Sequence, residues 1–319
     1  MCRLLSVLIA GVWLLQASAA FAFPSRQMTI VVPFPPGTNA DTTARLLADR
    51  LTRALKQPVI IENKSGGATI PGTMAVLQAP ADGHTMLQSG TNTNINTLLG
   101  LKPPYDIDRD LTPVVLVVKF PAVLVVHESV PASSVAEFIA LAKVKPGALS
   151  YSSPGTGNFA HLAMEQFNQL AGTQIVHVPF RGLGPAMLGL LRNDVQVMIS
   201  DIPGALEHIR SGKLRGLAQT GTSRMPQLPD LPTLAEAGLA GYEAAGFLGV
   251  WVASGTPPEA LAVLNREINE ALTSPELSHY IANNGLIAGG GSADDFVAFL
   301  KRDRAIWSRV VAEAGIKME

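Results

Sequence analysis

The amino-acid sequence predicts an α/β protein of two domains, one of them inserted into the other. Apolar β-rich runs alternate with segments of helical periodicity, the alternation resumes after about residue 125, and the chain ends in helices alone. Such alternation predicts a parallel or mixed sheet covered by helices. The final helices must pack on a sheet whose strands lie earlier in the chain. We therefore expect residues 23–124 and 243–319 to form domain 1 and residues 125–242 to form domain 2. The chain then crosses between the domains twice, which creates a hinge.

The first 22 residues have the pattern of a secretory signal peptide. A short region with Arg3 precedes an apolar run from Leu4 to Leu15, and small residues end at Ala22. The run is shorter than the roughly 20 apolar residues that a membrane-spanning helix needs. We therefore expect export and cleavage after Ala22. The single cysteine, Cys2, lies in this segment, so the mature protein is expected to have no disulfide.

Strands and helices alternate through the first predicted domain. They are a strand over Met28 to Phe34, a helix from about Asp41 to Leu55, a strand over Val59 to Glu62 and a helix near Gly72 to Gln78. The most apolar stretch after the signal, Val114 to Val126, is interrupted by Lys119 and Pro121, so it does not predict a membrane span.

The second predicted domain repeats the alternation, and helices follow it. The elements are a strand over Leu149 to Ser152, a helix from about Asn158 to Leu170 that ends at Gly172, a strand over Ile175 to Pro179, a helix beginning at Pro185 and a strand over Val195 to Ser200. From Pro257 the sequence predicts helices to about Thr273, after Pro275 and from about Ser292 to Ala314. No strand is predicted after about Ala253.

The composition excludes two classes of partner. The 319 residues are 47% hydrophobic and carry a formal net charge of −1. A protein that binds nucleic acid or the membrane surface needs a concentration of positive charge. We therefore expect neither partner, and the length and apolar content predict two folded cores.

Two loops that follow predicted strands are candidate anion sites. The first, from Phe34 to Asp41, links a strand to a helix through Gly37, Thr38 and Asn39. The first backbone N–H groups of a helix lack intrahelical acceptors and attract anions. Thr38 and Asp41 have the three-residue spacing of a capping box. Asp41 taken alone favours a capped helix without a ligand, because a carboxylate repels an anion unless it organises the loop.

The second loop runs from Ser153 to Asn158 and contains Gly155, Thr156 and Gly157. Its glycines and the alanine after them fit the dinucleotide pattern G-x-G-x-x-G/A. The acidic residue that should follow about 20 positions later is absent, so we do not favour dinucleotide binding. We interpret the loop as a second anion site formed by backbone N–H groups and two hydroxyls.

Other residues have two interpretations each. His161 either donates to a ligand or packs in the core, and Phe34 and Phe247 either pack in the core or face the cleft. Arg181, which precedes Gly182 in a turn, either pairs with a carboxylate or is a solvated surface residue. The sequence holds no H-E-x-x-H motif, no G-x-S-x-G elbow and no carboxylate cluster with metal spacing. We therefore expect no catalytic residue, no metal and no cofactor.

Several motifs resemble those of a known family. They are Val31 to Arg45, Glu62 to Lys64, Pro80 to Thr85, Tyr151 to Leu162, Val178 to Ala186, Gly212 to Leu217 and Leu228 to Gly238. Over essentially the whole mature chain they resemble the Bug-type periplasmic binding proteins of tripartite tricarboxylate transporters. The resemblance implies a two-domain periplasmic-binding-protein (Venus-flytrap, type II-like) fold with a hinge. It also implies a monomer in the periplasm that binds a small carboxylate and delivers it to separate membrane permease subunits.

The resemblance also implies ligand contacts beyond the two loops. The supporting positions are Ser89, the turn from Arg181 to Gly184, and Asp201. Thr38 stands where the family usually has a second glycine and Phe247 where tryptophan is common, so the preferred carboxylate stays open. Two other functions stay open as well: a solute-sensing adaptor for a signalling receptor, and an exported hydrolase or isomerase.

Overall fold

The computed structural model describes residues 23–317, so the predicted signal peptide, residues 1–22, lies outside the described residues. The described chain has the α/β composition that the sequence predicts. Its strands are β1 (Met28–Val32), β2 (Val59–Asn63), β3 (Thr85–Gly90), β4 (Leu111–His127), β5 (Ser150–Ser153), β6 (Val176–Pro179), β7 (Val197–Asp201), β8 (Leu214–Gln219), β9 (Ala245–Ala253) and β10 (Ile287–Gly290).

Helices cover both faces of these strands. They are α1 (Asn39–Leu55), α2 (Ile70–Leu77), α3 (Thr91–Ile95), α4 (Ile107–Asp110), α5 (Val135–Val144), α6 (Phe159–Ala171), α7 (Leu183–Leu191), α8 (Ile202–Arg210), α9 (Pro258–Leu272), α10 (Pro275–Asn283) and α11 (Ala293–Ala314), with a 3₁₀ turn at Gly67–Thr69. In the described part of the chain, none of them combines the length and the apolar character of a membrane span.

Strand β4 links two halves of the sheet. Its first part, from Leu111 to Pro121, pairs antiparallel with β9, and its second part, from Ala122 to His127, pairs antiparallel with β7 and β8. The strand order is β2-β1-β3-β9 on one side of β4 and β7-β5-β6 on the other. We call the first group of strands lobe 1 and the second group lobe 2. Within each lobe the neighbours of β1 and of β5 are parallel, as alternating strands and helices predict.

Two predictions about individual elements are wrong. A strand does follow Ala253: β10 pairs antiparallel with β4, with Ala288 opposite Val118. Its sequence is Ile-Ala-Gly-Gly, which lacks the β-branched alternation that predicts a strand. Helix α7 begins at Leu183, two residues before the predicted start at Pro185. The helix tolerates a proline in its first turn because the N–H that proline lacks would have no intrahelical partner there.

Helix α1 shows why the chain turns into a helix after β1. The Thr38 hydroxyl accepts a hydrogen bond from the backbone N–H of Asp41 at 3.4 Å, which caps the first turn. Ala44, Leu47 and Leu51 follow at helical spacing and are fully buried. The apolar stripe fixes the helix against the sheet of lobe 1, and the cap places its first turn beside the loop after β1.

Helix α11 packs on both lobes. Near its start, Phe296 lies 4.9 Å from Trp251 of β9, measured between ring centroids. Near its end, Trp307 contacts Phe159 edge-on at 6.1 Å and belongs to the core that surrounds Phe167 of lobe 2. The helix therefore contacts both lobes, in addition to the two crossings of the chain, through β4 and through the segment between β8 and β9.

Candidate functional site

The loops after β1 and β5 face each other across a cavity of about 260 Å³. Asn39 lines it from the first loop and Asn158 from the second. An adjoining cavity of about 200 Å³ shares Phe120 and Phe159 with the first one, as well as the two asparagines. The two loops that the sequence selects therefore lie together around a continuous cleft between the lobes.

The first loop is held in shape by Asp41. Its carboxylate accepts hydrogen bonds from the Gly37 backbone N–H at 2.9 Å, from Arg45 at 2.9 and 3.0 Å and from Asn63 at 2.9 Å. The bond from Arg45, more than the other contacts, lowers the pKa of Asp41 to about 2 despite its burial. Gly37 has a φ of 82°, which favours glycine. Asp41 thus organises the turn, and both of its oxygens already have partners in the protein.

Asn39 stands at the first helical position and faces the cleft. Its Oδ1 accepts a hydrogen bond from the hydroxyl of Tyr280 at 2.9 Å. Its amide nitrogen has no partner within the described chain, and the backbone N–H groups of Asn39 and Ala40 precede the first intrahelical bond. This edge of the cleft therefore presents hydrogen-bond donors.

The second loop is built around its two glycines and Ser153. Gly155 and Gly157 have φ values of 148° and 71°, which a side chain would strain. The Ser153 hydroxyl lies 3.0 Å from the Gly155 carbonyl and 2.6 Å from Nε2 of His177, and the Gly157 N–H donates to Nδ1 of His161 at 3.0 Å. Side chains beneath the loop therefore fix its backbone.

The two histidines form a stacked pair under this loop. Their ring centroids are 3.8 Å apart at an angle of 11°, and Tyr151 stacks on His177 at 4.9 Å. Burial, with the neighbouring His177 second, lowers the pKa of His161 to about 3. Burial lowers the pKa of His177 to about 4. Both rings are neutral at neutral pH, which leaves Nδ1 of His161 free to accept from Gly157.

Asn158 caps helix α6 and lines both cavities. Its Oδ1 accepts from the Ala160 backbone N–H at 2.7 Å, so the oxygen is occupied. No partner within the described residues bonds the amide nitrogen, which is a donor. Asn39 and Asn158 therefore line the same space from opposite lobes, and the amide nitrogen of each has no partner in the described part of the chain.

Aromatic side chains form much of the remaining wall. Phe120 and Phe159 meet edge-on, with ring centroids 6.0 Å apart, and line both cavities. Sequence reasoning missed both residues. Phe159 directly follows Asn158, so the candidate loop could have been extended by one residue. Phe120 lies between Lys119 and Pro121, where the apolar run is interrupted. That interruption is the one feature of the sequence that could have indicated a cleft residue at this position.

The other predicted site residues divide into two groups. Phe34, Thr38, Asp201 and Phe247 line one of the cavities, although Phe247 is largely enclosed by other aromatic rings. The residues outside the lining are Gly37, Asp41, Ser89, Ser153, Gly155, Thr156, Gly157, His161, Arg181 and Gly182.

Three supporting positions differ in their surroundings. The Ser89 hydroxyl is buried and bonds to the Thr93 hydroxyl at 2.6 Å, beneath the cleft. Arg181 is exposed at the turn before α7. Asp201 is largely buried, and burial raises the pKa of its carboxyl group while bonds from Ser200 and the Gly204 N–H oppose that rise.

The contact between Ser153 and His177 is the arrangement closest to a hydrolase dyad. The pKa of His177, about 4, makes the imidazole a weak general base at neutral pH. Ser153 is fully buried and does not line the cleft. Among residues 23–317 no group of three histidine, cysteine or acidic side chains is placed to hold a metal ion. What the cleft offers is hydrogen-bond donors, suited to reversible binding of an acceptor.

Comparison with known proteins gives consistent matches. The family described as "Tripartite tricarboxylate transporter family receptor" matches residues 43–316. Protein BugT of Bordetella pertussis is 36% identical over 324 residues, which cover 100% of this chain and 99% of BugT. A solved structure of Rhodopseudomonas palustris Rpa4515 with adipate has 35% identity and a TM-score of 0.81, covering 92% of this chain and 99% of that one. MatC of the same organism, with bound malate, has 29% identity and a TM-score of 0.77, covering 91% and 100%.

Proposed function

Because the chain belongs to the tripartite tricarboxylate transporter receptor family of Bug-type periplasmic binding proteins, we propose that it captures a small carboxylate in the cleft between its lobes. The similar proteins are solute-binding proteins with the same α/β fold, and two of them hold adipate or malate. The observation that carries the proposal is that Asn39 and Asn158, from separate lobes, line the same cavities, and that within residues 23–317 the amide nitrogen of each has no hydrogen-bond partner.

The donors suit a carboxylate for a physical reason. A carboxylate has two oxygens and accepts about four hydrogen bonds, so donors on both sides can bind it at once. The first N–H groups of α1 and α6 add the favourable field of two helix N-termini. No lysine or arginine is needed, because oriented dipoles supply the compensating charge.

The energies are sufficient for a useful affinity. Each hydrogen bond to a charged group contributes about 1.5–3 kcal/mol, and a helix terminus about 0.3–1 kcal/mol. Four bonds near the upper part of this range, about 12 kcal/mol at most, exceed the roughly 8 kcal/mol of a micromolar complex. The remainder offsets the cost of ordering the ligand and closing the lobes. Closure follows because a ligand that bridges both loops binds the closed form more tightly than the open form.

The proposal also covers the export of the protein, its location and its membrane partner. We propose export through the signal peptide with a mature chain that starts at Phe23, a monomer in the periplasm, and delivery of the ligand to the membrane subunits of a tripartite permease. We also propose that residues 23–124 and 243–319 form domain 1 and residues 125–242 form domain 2, and the change of partners in β4 near Ala122 supports the first of these boundaries. The protein is proposed to bind without chemical conversion, and incubation of the bound acid with the protein should return it unchanged.

The carboxylate site can be tested with Asn158→Asp. Aspartate keeps the oxygen that caps α6 but replaces the amide donor with a negative charge, so the fold should persist while the affinity for carboxylates falls at least about 100-fold. Isothermal titration calorimetry with adipate, hexanoate and benzoate measures the change.

A matched control places the same charge elsewhere. Ser134 caps α5 outside the cleft, with its hydroxyl accepting from the Glu137 N–H. Ser134→Asp should bind carboxylates like the unmodified protein. If Asn158→Asp binds as tightly as this control, Asn158 does not contact the ligand and the site is wrong. If only uncharged solutes bind to the unmodified protein, the proposed function is wrong.

A further inference from the structure

The cavity of about 260 Å³ is mostly apolar away from its amide donors. The side chains that line it beyond Asn39 and Asn158 include Phe120, Phe159, Leu183 and Ile199. No lysine, arginine or histidine lines either cavity within the described chain. The polar side chains of Thr38, Thr91 and Asn92 line the adjoining cavity instead. A ligand that places one carboxylate between the two asparagines and extends into the cavity of about 260 Å³ therefore places its remaining atoms among hydrocarbon groups.

Asp201 is the one charged side chain among the lining residues of these two cavities. It stands at the end of β7, largely buried, and among the described residues its carboxylate forms no ion pair. A neighbouring hydroxyl, that of Ser200, donates to it at 3.3 Å. A second ligand carboxylate in this cavity would meet a like charge with no cation to compensate it, which is unfavourable.

Resting on the proposed function, we infer that the ligand is a monocarboxylate whose remaining atoms are apolar, either aromatic or unbranched aliphatic, and that Asp201 excludes acids with a second carboxylate. An attractive contribution and a repulsive one would both favour a monocarboxylate. Burial of an apolar body against Phe120 and Phe159 is favourable, whereas the second charge of a diacid loses its hydration without gaining a partner. Selection then arises from a repulsive group as well as from attractive contacts.

Matched pairs of acids test the inference on the full mature chain. Calorimetry would compare benzoate with terephthalate and hexanoate with adipate, so that each pair differs by one carboxylate. The monoacid of each pair should bind at least about tenfold more tightly, the effect of one uncompensated like charge. Adipate is included because the similar protein Rpa4515 holds it.

The role of Asp201 is tested by Asp201→Asn. Asparagine keeps an acceptor for its neighbours but removes the charge, so the affinity for adipate should rise about tenfold relative to the affinity for hexanoate. An unchanged ratio of the two affinities would show that Asp201 does not set the preference.

The apolar wall is tested by Leu183→Asn on α7. Leu183 is 37% exposed and lines the cleft, so the fold should tolerate the change while hexanoate binding weakens roughly fivefold. Leu188→Asn is the matched control, since Leu188 lies on the same helix, is 45% exposed and lines neither cavity. Equal affinities in the two variants would contradict an apolar ligand body at this wall.

The outcomes separate this inference from the proposed function. Tight binding of adipate and terephthalate that Asn158→Asp abolishes would overturn the preference for monoacids and leave carboxylate binding intact. Failure of all four acids to bind would contradict both the inference and the carboxylate site.

Discussion

At the scale of single residues, the cleft depends on side chains that do not line it. Asp41 holds the first loop through Arg45 and Asn63, and the neutral pair of His161 and His177 holds the second loop from below. A loop that donates backbone N–H groups to a ligand needs such support, because a displacement of even one ångström weakens its hydrogen bonds. Substitution of a residue that supports a loop should therefore lower the affinity for the ligand, although that residue does not contact the ligand.

His161→Phe is the sharpest test at this scale. Phenylalanine keeps the ring stack but leaves the Gly157 N–H without an acceptor, so the free energy of unfolding should fall by about 1–3 kcal/mol at pH 7.5. Carboxylate affinity should fall as well. Urea denaturation and calorimetry measure the two effects.

The control for that substitution is His279→Phe. His279 is exposed on α10 and lines neither cavity, and its replacement should change stability by less than about 0.5 kcal/mol. If His161→Phe is as stable as this control, the hydrogen bond from Gly157 does not hold the loop.

Residues also show what the sequence could and could not predict. The sequence predicts Asn39 and Asn158 beside the cleft that they line because each ends a strand–loop–helix pattern, a local signal. His177 and Phe120 were missed because each reaches the site through contacts between segments distant in sequence. The sequence favours a capped helix for Asp41 taken alone and leaves its part in the loop open, because its partner Asn63 lies 22 residues away.

At the scale of elements, helix α11 carries a buried carboxylate between its two packing regions. Asp303 accepts from the Asn94 amide at 2.8 Å and from the Trp307 indole N–H at 2.9 Å. Burial raises the pKa of Asp303 to about 6, more than those bonds and nearby arginines lower it. The folded protein therefore binds a proton here that the unfolded chain loses near 3.8, so the contribution of this group to stability decreases as pH rises from about 4 to about 6.

Asp303→Asn removes this titration. Relative to the variant, the unmodified protein should lose unfolding free energy on the order of 2 kcal/mol between pH 4 and pH 7. Urea denaturation of both proteins across that range measures the difference. A difference that is constant with pH would mean that Asp303 titrates alike in the folded and unfolded states.

Elements were predicted well where periodicity and caps agree. Helix α1 and helix α6 were located within two residues, because each combines an apolar stripe with a capping residue. Strand β10 was missed because its four residues are stabilised by pairing with β4, and that partner lies about 170 positions earlier. The position of α11 across both lobes depends on tertiary packing, which a one-dimensional pattern does not specify.

At the scale of the whole molecule, two lobes share a cleft and are joined by β4 and α11. Donors from both lobes line the same cavity, so a carboxylate there should hold the lobes together. Small-angle X-ray scattering should show a smaller radius of gyration when a bound acid saturates the protein.

Asn158→Asp serves as the comparison in that measurement. Its radius of gyration should not respond to the same acid, because it no longer binds. A bound, unmodified protein whose scattering is unchanged would show that binding occurs without closure.

Strand β4 limits how this protein can be divided. The 17-residue strand completes the sheet of lobe 1 with its first residues and that of lobe 2 with its last. A fragment that carries either lobe without it would expose a hydrogen-bonding edge on β9 or β7, and exposed edges promote aggregation. The lobes are therefore not separable modules, and chimaeras that exchange ligand preference with a relative should exchange loops while leaving residues 111–127 in place.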